Sequence, residues 1–347
     1  MKKALIILPE LSNTGAPNSG YNMSLALRKI GLHPIVISKS DGLMRKRFDE
    51  AGIPIYLSNR VDDYIMWAKQ VDICIINTSM LYEIALETQK YVYTILIIRE
   101  ARSIGEFADI FKCSLDRIAQ VENVLTVSEY ARAEVKNILG IDSRVLHNFV
   151  PDLSYLKKQS LIKGEETIVR FGILGTIEPR KGIEVCVNAF AMCKYEKKMK
   201  LVVAGRLLDW QTEYWEKVLS KIDILDNVTY FGEINTIAEK VDFYNNVDVI
   251  IVASEDESCS LVALEAASMG KFLILSQNVG AKYIIGKING FIFKTGNEND
   301  LYENLKKIYY MRHIIRFVGN FSRIKYKKYA SEKHYIDELK NIVDKIK

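Results

Sequence analysis

Short runs of consecutive apolar residues alternate with helix-period segments along most of the chain. ALIIL at 4–8 leads through a turn-rich stretch, PELSNTGAPNSG, into a helical pattern, YNMSLALRKIG, which Gly31 stops. PIVIS follows as a strand, RKRFDEAG as a short helix with its own glycine stop, and then IPIYL, DICIIN and YTILII as further strands. The alternation pauses between Asn148 and Gly164, where Pro151 and the polar stretch KKQSLIKGEE read as a linker. It then resumes: TIVRFGIL, KLVVAG, NVTYFG, DVIIVAS and KFLILS read as strands, separated by the helical patterns GIEVCVNAFAMCK, WQTEYWEKVLSKI, TIAEKVDFYNN and LVALEAASMG. Strands that are apolar throughout belong to parallel sheets buried on both faces, and strand–helix alternation supplies the covering layers. The pattern predicts an α/β protein of two doubly wound, Rossmann-like domains facing across a cleft. The expected boundaries are 1–155 for the first, 165–315 for the second and 316–347 for a terminal helical segment that returns to the first. In such sheets ligands bind outside the carboxyl ends of the strands, near the switch in strand order.

The chain's 347 residues fit two domains better than one core. With 49% hydrophobic and 26% charged residues, the composition is that of an ordinary globular protein. No apolar run approaches the roughly 20 residues a membrane-crossing helix needs, and Pro9 and Glu10 cut short the signal-like start. The five cysteines show no paired spacing and the four histidines are scattered, which points to a reducing cytoplasm without a disulfide framework or zinc site. The net charge of +5 is concentrated at the end: residues 312–347 hold ten Lys or Arg against four Asp or Glu. Such a tail, with the Arg45-Lys46-Arg47 cluster, suits an anionic membrane surface, or is a solvated helix face.

Three strand-to-helix loops carry candidate chemistry. In SNTGAPNSG, Gly15 lets backbone amides approach an anion, and Asn18 or Ser19 is placed to cap the next helix; otherwise the stretch is a plain glycine turn. It lacks the GxGxxG pattern, and no acid closes the second strand, so a nicotinamide enzyme is disfavoured. In LGTIEPRKG, Arg180 and Lys181 stand where a helix should begin, and two cations there oppose the helix dipole unless an anion lies between them. The alternative is a surface pair with Glu178, worth little. In ASEDESCSLVALEAASMG, Ser260 is a fair N-cap for a helix from about Leu261 to Met269, closed by Gly270. Its first amides form an anion site, with Glu257 before it and Glu265 a turn inside. Carboxylates take hydrogen bonds from hydroxyls, and a sugar–diphosphate–nucleoside offers hydroxyls on both sides of its phosphates. The bland reading leaves both acids as exposed helix-edge charges.

Several motifs in one order resemble a known family. ESCSLVALE holds two glutamates with seven residues between them, PRKG follows a glycine-ending strand, and AKYIIGKINGFIF carries Asn-Gly near its end. TVSEYARAEV, VLHNFVPD and the glycine loop TGAPNSGYNMSLALRKIG precede the linker. Together they resemble a retaining glycosyltransferase of the GT-B fold, family four, the group-one glycosyltransferases. The resemblance covers nearly the whole chain and is strongest from residue 170 to 296.

The resemblance implies a UDP- or GDP-linked sugar donor held by the second domain, an acceptor held by the first, and no metal or other cofactor. By carry-over, Glu265 binds the donor ribose and Glu257 the donor sugar. Lys181, Arg180, Gly15 and the amides at Ser260 and Leu261 take the diphosphate. The chain departs from the pattern twice: Thr176 stands after Gly175 where many relatives have Arg, and Arg99, before Glu100, stands where many have His. Arg99 is then either a catalytic cation or a structural partner of Glu100 or Glu106, with Arg102 nearby as a rival. The implied function is transfer of a hexose-type sugar to a glycan or lipid-linked acceptor in bacterial surface-polysaccharide synthesis, in the cytoplasm or at the inner membrane face. The alternative is a non-catalytic subunit of the same fold that binds a partner transferase. Nothing in the sequence calls for nucleic acid as a partner.

Overall fold

The computed structural model describes residues 2–12, 15–157, 168–193 and 197–345. Most of the expected linker, and the start of the second domain at 165, lie outside the described residues, as do Asn13 and Thr14 of the first glycine loop and Lys194 at the end of one expected helix.

The chain forms two compact units, residues 1–148 with 332–347, and residues 149–331. The first sheet comprises β1 (Lys3–Leu8), β2 (His33–Ser38), β3 (Ile55–Leu57), β4 (Ile73–Ile76), β5 (Thr94–Ile98), β6 (Val124–Thr126) and β7 (Arg144–Val145), in the order β3-β2-β1-β4-β5-β6-β7. The second comprises β8 (Val169–Leu174), β9 (Met199–Ala204), β10 (Val228–Gly232), β11 (Val249–Val252), β12 (Phe272–Ser276) and β13 (Gly290–Phe293), in the order β10-β9-β8-β11-β12-β13. All pairs are parallel. Each order reverses beside the first strand, between β1 and β4 and between β8 and β11. The apolar runs are the buried strands: β5, β11 and β12 are buried at every residue, as parallel strands covered on both faces must be.

Two expectations change at the end of the chain. The basic segment 316–347 is not one element. It comprises the end of the helix Ile315–Tyr329, which belongs to the second unit, and the helix Glu332–Val343, which belongs to the first. Part of the tail's charge is also tied down locally: Arg323 forks onto Asp152 at 2.7 and 2.8 Å, and Arg316 bonds Asp248 at 2.6 Å. The helix Ile315–Tyr329 sits close to the loop after Leu261–Ser268 because Gly319 has no side chain; a Cβ there would lie 2.8 Å from the Gly270 carbonyl oxygen. Among the described residues, no helix is long and apolar enough to cross a membrane.

Candidate functional site

In the second unit β8 pairs directly with β11, so the loops leaving their carboxyl ends are neighbours. That pairing joins two motifs 76 positions apart. The Lys181 ammonium donates to Glu257 Oε2 at 2.5 Å, and both side chains are about one-fifth exposed. Arg180 is placed differently. It donates to the Asp256 carbonyl oxygen at 2.9 Å and to Glu178 at 2.8 Å, with Glu257 only at 3.9 Å. Arg180 thus braces the loop, and the pairing with Glu178 is real. The two cations do not begin a helix: Pro179–Lys181 is a single 3-10 turn, and the helix Ile183–Ala191 starts after Gly182. Gly182 has φ +66°, and a Cβ there would meet the Ala253 carbonyl oxygen at 2.3 Å, so the turn closes onto the loop after β11 only with glycine.

Glu257 is fixed by backbone on both sides. Its N–H donates to the Asn278 carbonyl at 3.1 Å, and its own carbonyl accepts from Gly280 N–H at 2.7 Å. Three residues on, Ser260 holds φ +85° and ψ +93°, a region serine enters at a cost of about 1–3 kcal/mol. Its hydroxyl accepts from the Ala263 N–H at 3.3 Å, as a cap does. The helix Leu261–Ser268 then presents its first amides, which have no partner within the helix, at a positive end.

Glu265, one turn in, is not an exposed edge charge; its side chain is only 13% exposed. One oxygen accepts from Lys240 at 2.9 Å and the other from the Tyr244 hydroxyl at 2.9 Å. Tyr244 is fully buried. Burial first, and then the Glu265 charge, hold its hydroxyl well above 10, so it remains a proton donor. Lys240 and Tyr244 lie one turn apart on the helix Ile237–Asn246, whose start is fixed by a capping box of Thr236 and Glu239. Neither residue was singled out from the sequence.

In the first unit the helix begins at Gly15, so Asn18 and Ser19 lie within its opening turns and do not cap it. Pro17 is tolerated there because first-turn N–H groups have no helical acceptor. Asn18 accepts from Arg47 at 2.9 Å, and Ser19 accepts from Arg99. A Cβ on Gly15 would meet nothing within 4 Å, so no crowding requires glycine at that position. Arg99, just after β5, donates to Asn77 through its side chain at 2.5 Å and its carbonyl at 3.2 Å, and to Asn148 at 3.3 Å. Asn77 in turn donates to the Ala16 carbonyl at 2.7 Å, tying β4 to the first helix. Glu100 turns inward: Ser79 donates to it at 2.8 Å and the Arg99 backbone N–H at 3.1 Å, and burial raises its carboxyl above the usual range.

The three tryptophans divide. Trp215 is buried edge-on to Tyr230 at 4.6 Å and Trp67 packs on Tyr56 at 4.6 Å, whereas Trp210 is three-quarters exposed. Cys259 is buried, with its sulfur 4.0 Å from the Tyr283 hydroxyl.

These loops place the chain among known proteins. The fold matches HepE of Anabaena, crystallised in complex with UDP, at a TM-score of 0.85 and 15% identity, over 99% of this chain and all of that one. An uncharacterized glycosyltransferase of Methanocaldococcus jannaschii is 27% identical over 182 residues, 48% of this chain and 45% of the relative. The lipopolysaccharide 1,2-N-acetylglucosaminetransferase of Salmonella typhimurium is 27% identical over 143 residues, 39% of this chain and 37% of the relative. The matched parts thus span half or less of these curated relatives. Residues 155–329, just over half the chain, match the family model for glycosyl transferases group 1, and they contain the Lys181, Glu257 and Glu265 loops. The chain belongs to the glycosyl transferases group 1, in the two-sheet GT-B fold.

Proposed function

We propose that the protein transfers a hexose-type sugar, with retention of configuration, from a UDP- or GDP-linked donor to a glycan or lipid-linked acceptor of a bacterial surface polysaccharide. The observation that carries this reading is the juxtaposition of Lys181, Glu257, the amides after Ser260, and Glu265 at the carboxyl ends of β8 and β11. A neighbour of the same fold is crystallised with UDP-glucose, and a relative bears the name of a lipopolysaccharide sugar transferase, which supports the choice of donor and acceptor class.

In the proposed mechanism, the donor's diphosphate lies on the amides of Leu261 and Val262 and draws the Lys181 ammonium from the Glu257 carboxylate. A charge-assisted bond is exchanged for another, so little is lost. Glu257, released, accepts from a hydroxyl of the sugar, while Glu265 accepts from the ribose. The bond from the sugar's anomeric carbon to the phosphate oxygen breaks, and the acceptor oxygen bonds to that carbon on the same face. The acceptor's proton passes to the departing phosphate. Lys181 and the helix amides stabilise the charge growing on that phosphate, and no metal is needed for the step. Arg99, held rigid by Asn77 and Asn148, serves as the catalytic cation of the first unit; the remaining exposed basic residues of the tail serve peripheral contact with anionic membrane, at the cytoplasmic face.

A thermal-shift screen tests the reading. UDP or GDP at a hundred times its dissociation constant should add about 2.7 kcal/mol of stability, and the matching sugar nucleotide should be slowly hydrolysed. No shift and no hydrolysis with any nucleotide sugar at millimolar concentration would contradict it, and would favour a non-catalytic subunit.

A further inference from the structure

The histidines that look scattered in the sequence do not stay apart. His147 follows β7, at the edge of the first unit's main segment. His334 and Glu338 stand one turn apart on the helix Glu332–Val343, which returns to that unit. Glu338 Oε1 lies 2.9 Å from His147 Nδ1 and 3.1 Å from His334 Nε2. One donor atom from each of the three residues falls within 4.8 Å of the others. The other carboxylate oxygen, Oε2, accepts from the His147 backbone N–H at 3.0 Å, which orients Oε1 toward both imidazoles. Hydrogen bonds to the non-ligating atom of a carboxylate are what hold metal ligands in place. The side chains are 15%, 28% and 23% exposed, open enough for an ion to enter yet partly screened from water.

We propose that His147, His334 and Glu338 form a binding site for a divalent transition-metal ion of the zinc type, which fastens the returning helix to the end of β7. Two imidazole nitrogens and one carboxylate oxygen are the donor set zinc favours, and three protein ligands leave a fourth position for water. Bonds of roughly 2.0–2.2 Å place tetrahedral donors somewhat over 3 Å apart, so the present spacings need only small side-chain movements. The link joins positions far apart in sequence, where a cross-link constrains the unfolded chain most. It also has a reach toward Arg99, because Asn148, next to His147, accepts from that guanidinium at 3.3 Å. Its residues belong to the first unit and the Lys181–Glu257 loops to the second, and its test does not depend on transfer.

The experiment uses the full, tag-free chain stripped with a chelator and titrated with zinc in competition with a fluorescent zinc indicator. One equivalent should bind and raise the melting temperature, and cobalt substituted for zinc should give the visible absorption of a tetrahedral site. His334→Ala should weaken binding by at least about 10–100-fold and remove the cobalt spectrum, and Glu338→Gln should weaken it too. Failure to bind zinc at 100-fold molar excess, or binding that both variants retain in full, overturns the proposal. Melting of the metal-free variants reports whether either has unfolded, and His147→Asn provides an independent third ligand deletion.

Discussion

The loops after β1 and β8 occupy the same place in their sheets but hold their candidate groups in different ways. After β8, Gly182 lets one loop touch the next, and Lys181 meets a carboxylate at 2.5 Å. After β1, Gly15 faces open space, and the nearby Arg99 is held by amide and hydroxyl oxygens. In the second unit, then, opposite charges are stored against each other, a pair that the proposed function exchanges for a diphosphate and a sugar hydroxyl. In the first, several amide and hydroxyl oxygens help to hold the cation in position, and its charge acts on the buried Glu100 beside it, which suits a fixed field better than an exchange.

The largest test of that difference is removal of the exchangeable pair. Glu257→Gln should lower transfer by about 10²–10³-fold with the fold intact, the scale of losing one group that acts on transition-state charge. Lys181→Ala should weaken nucleotide binding by roughly 10–100-fold, as expected for a charge-assisted bond. Initial rates and titration calorimetry, with circular dichroism as control, measure both; unchanged values would remove the pair from the site.

Glycine substitution separates the two loops next. Gly182→Ala must move the Ala253 carbonyl from 2.3 Å and hold alanine at φ +66°, a cost of several kcal/mol with the left-handed region alone worth about 1–2. Gly15→Ala has room and should change stability by no more than about 1 kcal/mol, toward stabilisation because alanine favours helix. Denaturant unfolding of the two variants should differ accordingly, and equal effects would erase the contrast.

A second lysine in the same unit sharpens the point, because no carboxylate bonds it among the described residues. Lys271 is buried, donates to the Val247 carbonyl at 2.8 Å, and has its pKa lowered to about 8 by burial, against the opposing charge of Asp248. The unfolded chain therefore binds the extra proton between about pH 8 and its ordinary value near 10.5, so this residue makes stability rise with pH across that window. Lys271→Met should remove that rise, worth up to about 3 kcal/mol, in unfolding curves from pH 7 to 10. Identical slopes in the two proteins would contradict it. The smallest effect belongs to Tyr244→Phe. Loss of its 2.9 Å bond to Glu265 should cost about 1–2 kcal/mol of nucleotide affinity if Glu265 needs that hold on its orientation. Affinity equal to wild type would assign Tyr244 to packing alone.

The long apolar strands were legible because burial on both faces leaves no polar positions in β5, β11 or β12. Three strands, β6, β7 and β13, escaped the pattern: β7 has two residues and opens on an arginine, and β13 opens on Gly290 and is buried only at its ends, so neither shows a continuous buried apolar run. The two glutamates were legible as a spacing, but their partners were not. Lys181 reaches Glu257 through the pairing of β8 with β11, which only strand order reveals. Lys240 and Tyr244 come from another helix, and His147 meets His334 because the last helix returns to the first unit. The cap at Ser260 was readable from residue type, while its positive φ was not, since serine gives no hint of it.

The central claim is that the acids and Lys181 hold an activated sugar, and a crystal of the protein grown with UDP-linked donor tests it most directly. The diphosphate should lie within about 3 Å of Lys181 Nζ and of the amides of Leu261 and Val262, with ribose hydroxyls on Glu265 and Glu257 turned to the sugar. A nucleotide bound elsewhere, with Glu257 still on Lys181 and Glu265 touching only Lys240 and Tyr244, would contradict it.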